Sequence, residues 1–152
     1  MGGVIERCKT IMTMRIKKDV LIDLLASIPN APPEMGGALG GNKNVILTYM
    51  LDIGTETNNY DHYFPNVEKI NHEIKNWMHV GIEFYGIFHS HFPGGDELSL
   101  SDKRYIRQIM LAMPFEVSKL YFPIILPTGI VGYQANRCGS QICIFRDDIK
   151  II

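Results

Sequence analysis

The chain has 152 residues, a length that suits one domain with a sizeable core. Hydrophobic residues make up 46% and charged residues 20%, which excludes a disordered or fibrous chain. Fifteen Lys+Arg against sixteen Asp+Glu leave a formal charge of −1, so no overall basic field gathers nucleic acid or an anionic membrane.

Cys8, Cys138 and Cys143 cannot all pair within the chain and lack zinc-knuckle spacing, which reads as free thiols in a reducing compartment. The opening residues hold no uninterrupted apolar stretch of the signal-peptide kind, and no run approaches membrane-spanning length. The expectation is a single domain over residues 1–152, located in the cytoplasm and binding neither nucleic acid nor membrane.

The first clear element is a helix over residues 17–28, where Val20, Leu21, Leu24, Leu25 and Ile28 recur at helical spacing before Pro29. Residues 34–52 read as two strands around a turn at 40–44, and 54–61 as a loop. A second helix begins after Pro65, with Asn66 as N-cap and a buried stripe of Val67, Ile70, Ile74, Trp77 and Met78. Residues 82–88 form an apolar strand running into His89-Ser90-His91. A Gly-rich loop leads to a third helix over 100–112, with Ile106, Ile109, Met110 and Met113 facing inward. After Pro114, strand-like segments lie near 119–126, 130–136 and 141–146, with connections short enough for antiparallel hairpins. Strands mixed with three helices predict an α+β fold, or α/β sandwich.

Two motifs fail on inspection. Gly36 to Lys43 echoes a phosphate loop, but Asn44 stands where Ser or Thr would meet magnesium, so a hairpin turn is the better reading. His72-Glu73 lacks the second His that a zinc-protease helix needs four residues on, because Asn76 is there.

The residues that carry chemistry lie at a strand end. His89 and His91 are two apart, so both imidazoles face the same side and can converge on one ion. Ser99-Leu100-Ser101-Asp102 follows at the next helix start, where Ser99 as N-cap and Asp102 at N3 also read as a capping box. Together they place two imidazoles and a carboxylate across one tight loop. Two His and one carboxylate, with a position open for water, is the recipe for a catalytic zinc site. A general base is also needed, and Glu34 is the candidate, although between Pro33 and a Gly pair it also reads as a solvated loop residue.

Glu34-x-x-Gly37 followed by His89-Ser90-His91, seven residues, and Ser99-Leu100-Ser101-Asp102 resembles the JAMM signature of MPN-domain (Mov34/PAD-1) zinc metalloproteases. Phe92 before Pro93, and Leu98 before the Ser, depart from the Pro that many members carry at those places. The resemblance implies a JAMM/MPN fold: a mixed, mostly antiparallel curved sheet with about three helices, cytidine-deaminase-like in plan. It also implies that His89, His91 and Asp102 hold one Zn2+ per chain, with water as fourth ligand. Glu34 then acts as general base, and Ser99 steadies the developing oxyanion. The implied activity is a compact prokaryotic-type metallo(iso)peptidase. Its substrates would be proteins with a Gly-Gly C-terminal tail, ubiquitin-like or sulfur-carrier, bound by strand addition. The alternative is a non-catalytic MPN scaffold. A zinc deaminase is excluded, because His-x-Glu and Pro-Cys-x-x-Cys are both missing.

Overall fold

In a computed structural model describing residues 13–29, 33–55, 63–91 and 95–152, the chain opens on strand β1 (Arg15–Ile16) and helix α1 (Lys18–Ser27). β2 (Gly36–Asn42) and β3 (Val45–Asp52) form the expected antiparallel hairpin. Lys43 and Asn44 between them both have positive φ, 52° and 62°, the signature of a type I′ turn whose twist suits the strands it joins. Helix α2 (Val67–Met78) starts where the Asn66 side chain accepts a hydrogen bond from the Lys69 N–H at 3.2 Å. Strand β4 (Glu83–Ser90) and helix α3 (Leu100–Ala112) follow. Six short strands close the chain: β5 (Lys119–Tyr121), β6 (Ile124–Leu126), β7 (Gly129–Val131), β8 (Tyr133–Cys138), β9 (Gln141–Arg146) and β10 (Lys150–Ile151).

All ten strands belong to one mixed, curled sheet in the order β10-β1-β3-β2-β4-β5-β8-β9, with β6 beside β4 and β7 beside β6. β1 runs parallel to β3 and β10, and β4 runs parallel to β5 and β6; the remaining pairs are antiparallel. Neighbouring residues of the central strands feed opposite faces, as a period of two requires. Ala38 and Ile87 pack with Ile70, Trp77, Ile106 and Met110 under α2 and α3. Leu39 and Phe88 pack with Leu21, Leu24 and Ile46 under α1. Burial on both faces explains why the stretch before His89 reads as a nearly unbroken apolar run. Glycine is required at Gly86, where φ is +144° and a Cβ would run into the Tyr121 carbonyl oxygen of the adjacent parallel strand.

Several expectations shift. The segment near 119–126 is two strands, because Pro123 has no N–H and the chain changes partners there, β5 pairing β8 and β6 pairing β7. Val67 and Met78 were expected in the buried stripe of α2 but are exposed, since both fall on one flank of the arc that Ile70 and Trp77 turn to the sheet. The strand before the histidines extends through Ser90. Cys138 is disulfide-bonded, not a free thiol, so the cysteines no longer argue for a reducing compartment. Most of the expected 54–61 loop lies outside the described residues. No helix among the described residues is long and apolar enough to cross a membrane.

Candidate metal centre

The end of β4 is held from both sides. The Ser90 N–H donates to the Met35 carbonyl at 2.7 Å, while the His89 and His91 N–H groups donate to Pro123 (3.3 Å) and Ile125 (3.2 Å). A strand paired on both edges cannot rotate, so the two imidazoles are fixed on one face. His89 is fully buried and His91 half-buried.

Across the loop, α3 starts with a reciprocal cap. The Ser99 Oγ accepts from the Asp102 N–H at 3.0 Å, and Asp102 Oδ2 accepts from the Ser99 N–H at 2.9 Å. The capping reading of this tetrapeptide is therefore correct. It does not compete with the ligand reading, because the same carboxylate oxygen lies 3.3 Å from His89 Nε2 and 3.1 Å from His91 Nε2. The two Nε2 atoms are 2.8 Å apart.

Three donor atoms thus face one another with mutual separations of 2.8–3.3 Å. Nitrogen and oxygen ligands bound tetrahedrally at 2.0–2.2 Å would stand about 3.3 Å apart, so the set closes on one small cation with little adjustment. The donor chemistry fits as well, since two imidazoles and a carboxylate suit zinc. The His-His-Asp group can bind a metal ion.

The far side of each ring is also engaged. His91 Nδ1–H donates to the Gly95 carbonyl at 2.9 Å, so in the neutral ring Nε2 is the nitrogen that carries the lone pair. His89 Nδ1 lies 3.2 Å from the Tyr105 hydroxyl. Charge follows this arrangement. Burial lowers the pKa of His89 and favours its neutral form. Burial pulls His91 down too, but hydrogen bonds to Asp102 and Gly95 and the fields of Asp102 and Glu34 leave it raised. Burial alone would raise Asp102, yet hydrogen bonds from both imidazoles, their field and the Ser99 N–H hold it well below the usual carboxylate range.

Glu34 is not a solvated loop residue: only 7% of its surface is exposed. It stands two residues before β2, where Gly36 is in register with His89, and its field acts on His91 and Tyr105. The segment that carries it is braced by Ser90, to which the sequence pattern assigns no role. The Ser90 Oγ accepts from the Met35 N–H at 2.9 Å and donates to the Met35 carbonyl at 3.2 Å. The side chain between the two imidazoles therefore grips the residue next to Glu34.

Two further residues went unnoticed. Tyr105 follows Asp102 by three positions, so it shares that face of α3, and this spacing was the available signal. Arg137 on β8 secures the other end of α3, whose last turn has no basic residue of its own. Its guanidinium donates to the carbonyls of Met110, of Met113 at 2.8 Å and of Val117 at 2.9 Å. No local pattern announces a contact made by a residue more than twenty positions away. His72 and His79 are exposed and apart from the site.

No family model and no curated protein matches the chain. Among solved structures, protein DSY2949 from Desulfitobacterium hafniense is similar, with a TM-score of 0.64 and 21% identity over 91% of this chain and 92% of that one. AF2198, a JAB1/MPN domain protein from Archaeoglobus fulgidus, is similar with a TM-score of 0.52 and 17% identity over 91% of this chain and 99% of that one. At these identities the likeness concerns the fold, which is MPN-like.

Proposed function

We propose that this chain is a zinc-dependent metallo(iso)peptidase of the JAMM type, cutting a peptide or isopeptide bond after a Gly-Gly tail. The observation that carries the reading is the convergence of His89 Nε2, His91 Nε2 and Asp102 Oδ2 within 3.3 Å of one another, beside the buried Glu34. Zinc held by these three would lower the pKa of a water and polarise a substrate carbonyl.

The chain's own residues supply the rest. Glu34, at the mouth of β2, takes a proton from the attacking water and passes it to the departing amine. Ser90 keeps Glu34 in reach by gripping Met35. The Ser99 Oγ uses a lone pair on the Asp102 N–H, so its own proton can be directed at the developing oxyanion. His91, the only partly exposed member of the three, faces the substrate side of the site, while His89 and Asp102 are buried. A ubiquitin-like or sulfur-carrier protein, its tail extended beside a strand, is the proposed partner.

The test is zinc content followed by cleavage of Gly-Gly-tailed fusion proteins with and without chelator. Purified protein should carry about one zinc per chain. Glu34→Gln should keep that zinc and lose about 10³-fold or more in turnover. Undiminished turnover in Glu34→Gln removes this residue from the mechanism. Zinc without cleavage of any tailed protein leaves the scaffold alternative.

A further inference from the structure

The two imidazoles are braced differently. His91 leans on a backbone carbonyl in the loop, that of Gly95, whereas His89 leans on a side chain, the hydroxyl of Tyr105 at 3.2 Å. We infer that Tyr105 is a positioning residue for the metal, holding His89 in the tautomer and ring orientation that present Nε2 to the ion. The inference rests on the metal reading above and adds a residue to it.

Three observations support it. First, with a metal on Nε2 the remaining ring proton must sit on Nδ1, and a buried N–H without an acceptor is costly. His89 is fully buried, and the Tyr105 oxygen is the acceptor within reach of that nitrogen. Second, the tyrosine ring is itself held. It meets His89 edge-on at 6.0 Å and Phe122 at 6.3 Å between centroids, so the hydroxyl is aimed by packing and not by chance of rotamer. Third, Tyr105 and Asp102 lie one turn apart on α3. A single helical turn therefore supplies one ligand and orients another that comes from a different element. Displacing α3 would disturb both at once, and Arg137 at its far end opposes such displacement.

Tyr105→Phe removes the hydroxyl and keeps the ring. Zinc affinity, read by competition with a chromophoric chelator, should fall about 10- to 100-fold. The visible spectrum of the cobalt-substituted protein should change in band position or intensity. Tyr63→Phe is the control, because it removes another buried hydroxyl, one bound to Asp52 and not to any of the metal-ligating side chains. It should lower the melting temperature and leave zinc affinity and the cobalt spectrum as in the wild type. If Tyr105→Phe behaves like Tyr63→Phe, its role is structural and the inference is overturned. A wild type that binds no zinc overturns the metal reading and this inference together, so the two failures are distinguishable. Should Tyr105→Phe not fold, the nitrogen-15 shifts of His89 in the zinc-loaded wild type decide the matter. A protonated Nδ1 supports the assignment, and a protonated Nε2 overturns it.

Discussion

Two buried aspartates end in opposite situations. Asp52, at the end of β3 and 1% exposed, accepts from the Tyr63 hydroxyl at 2.6 Å and from the Asn66 N–H at 2.8 Å through one oxygen. Both donors can only give protons in that arrangement, so this oxygen is satisfied and the hairpin is stapled to the start of α2, while Oδ1 is buried without a hydrogen-bond partner among the described residues. Asp102 accepts one backbone N–H in a similar way, but its other neighbours are imidazole nitrogens. A neutral imidazole that turns its lone pair inward adds to the negative potential there. With both rings neutral, three electron-rich atoms point at one place, a good cation site; without a cation a ring proton stands in for it, as the pKa of His91, raised against its burial, reflects. Burial of a carboxylate is thus uninformative by itself. What distinguishes a staple from a ligand is whether its neighbours can give up their protons and turn lone pairs inward instead.

The largest expected effect that tests this contrast is at Asp102. Asp102→Ala should weaken zinc binding by more than about 100-fold, measured by chelator competition, because it removes a ligand and not merely a brace. Asp52→Ala should do the reverse: it should cost about 2–3 kcal/mol in a denaturant melt and leave zinc affinity unchanged. A loss of zinc in Asp52→Ala would break the comparison. The smallest effect is expected at Ser99, where the observed cap and the proposed oxyanion donor share one hydroxyl. Ser99→Ala should cost about 0.5–2 kcal/mol in stability and also lower kcat. A stability loss with normal kcat would leave Ser99 as a cap only.

Much of this contrast could be read from the chain alone. The third helix was expected over 100–112 and runs from Leu100 to Ala112, because its start carries a capping box and Pro114 follows its end. The pairing of His89 with His91 followed from strand periodicity. Other features depend on contacts that no short window contains. β1 and β10 are two residues each and pair parallel with one another across more than a hundred residues of chain, β1 also pairing with β3 on its other side. Ser90 carries no sequence signal because its partner, Met35, lies more than fifty residues away, just before β2. Tyr105 looked like part of an ordinary helix face, since its hydroxyl has meaning only once β4 brings His89 above it. The exposed ends of α2 show the same dependence in the other direction. Helical spacing admits Val67 and Met78 to the inward stripe, but both lie on its flank, and only contact with the sheet decides that the stripe centres on Ile70 and Trp77.

The reciprocal cap at Ser99 and Asp102 has a consequence for affinity. A carboxylate on a flexible side chain surrenders rotamer freedom when it closes on an ion, and that lost entropy weakens binding. Here the Asp102 rotamer is already chosen when the helix forms, because its oxygen must reach the Ser99 N–H. The ordering is therefore a cost of folding, shared with thirteen helical residues, and none of it recurs when the ion arrives. A metal encountering this protein meets a ligand that has nothing left to decide.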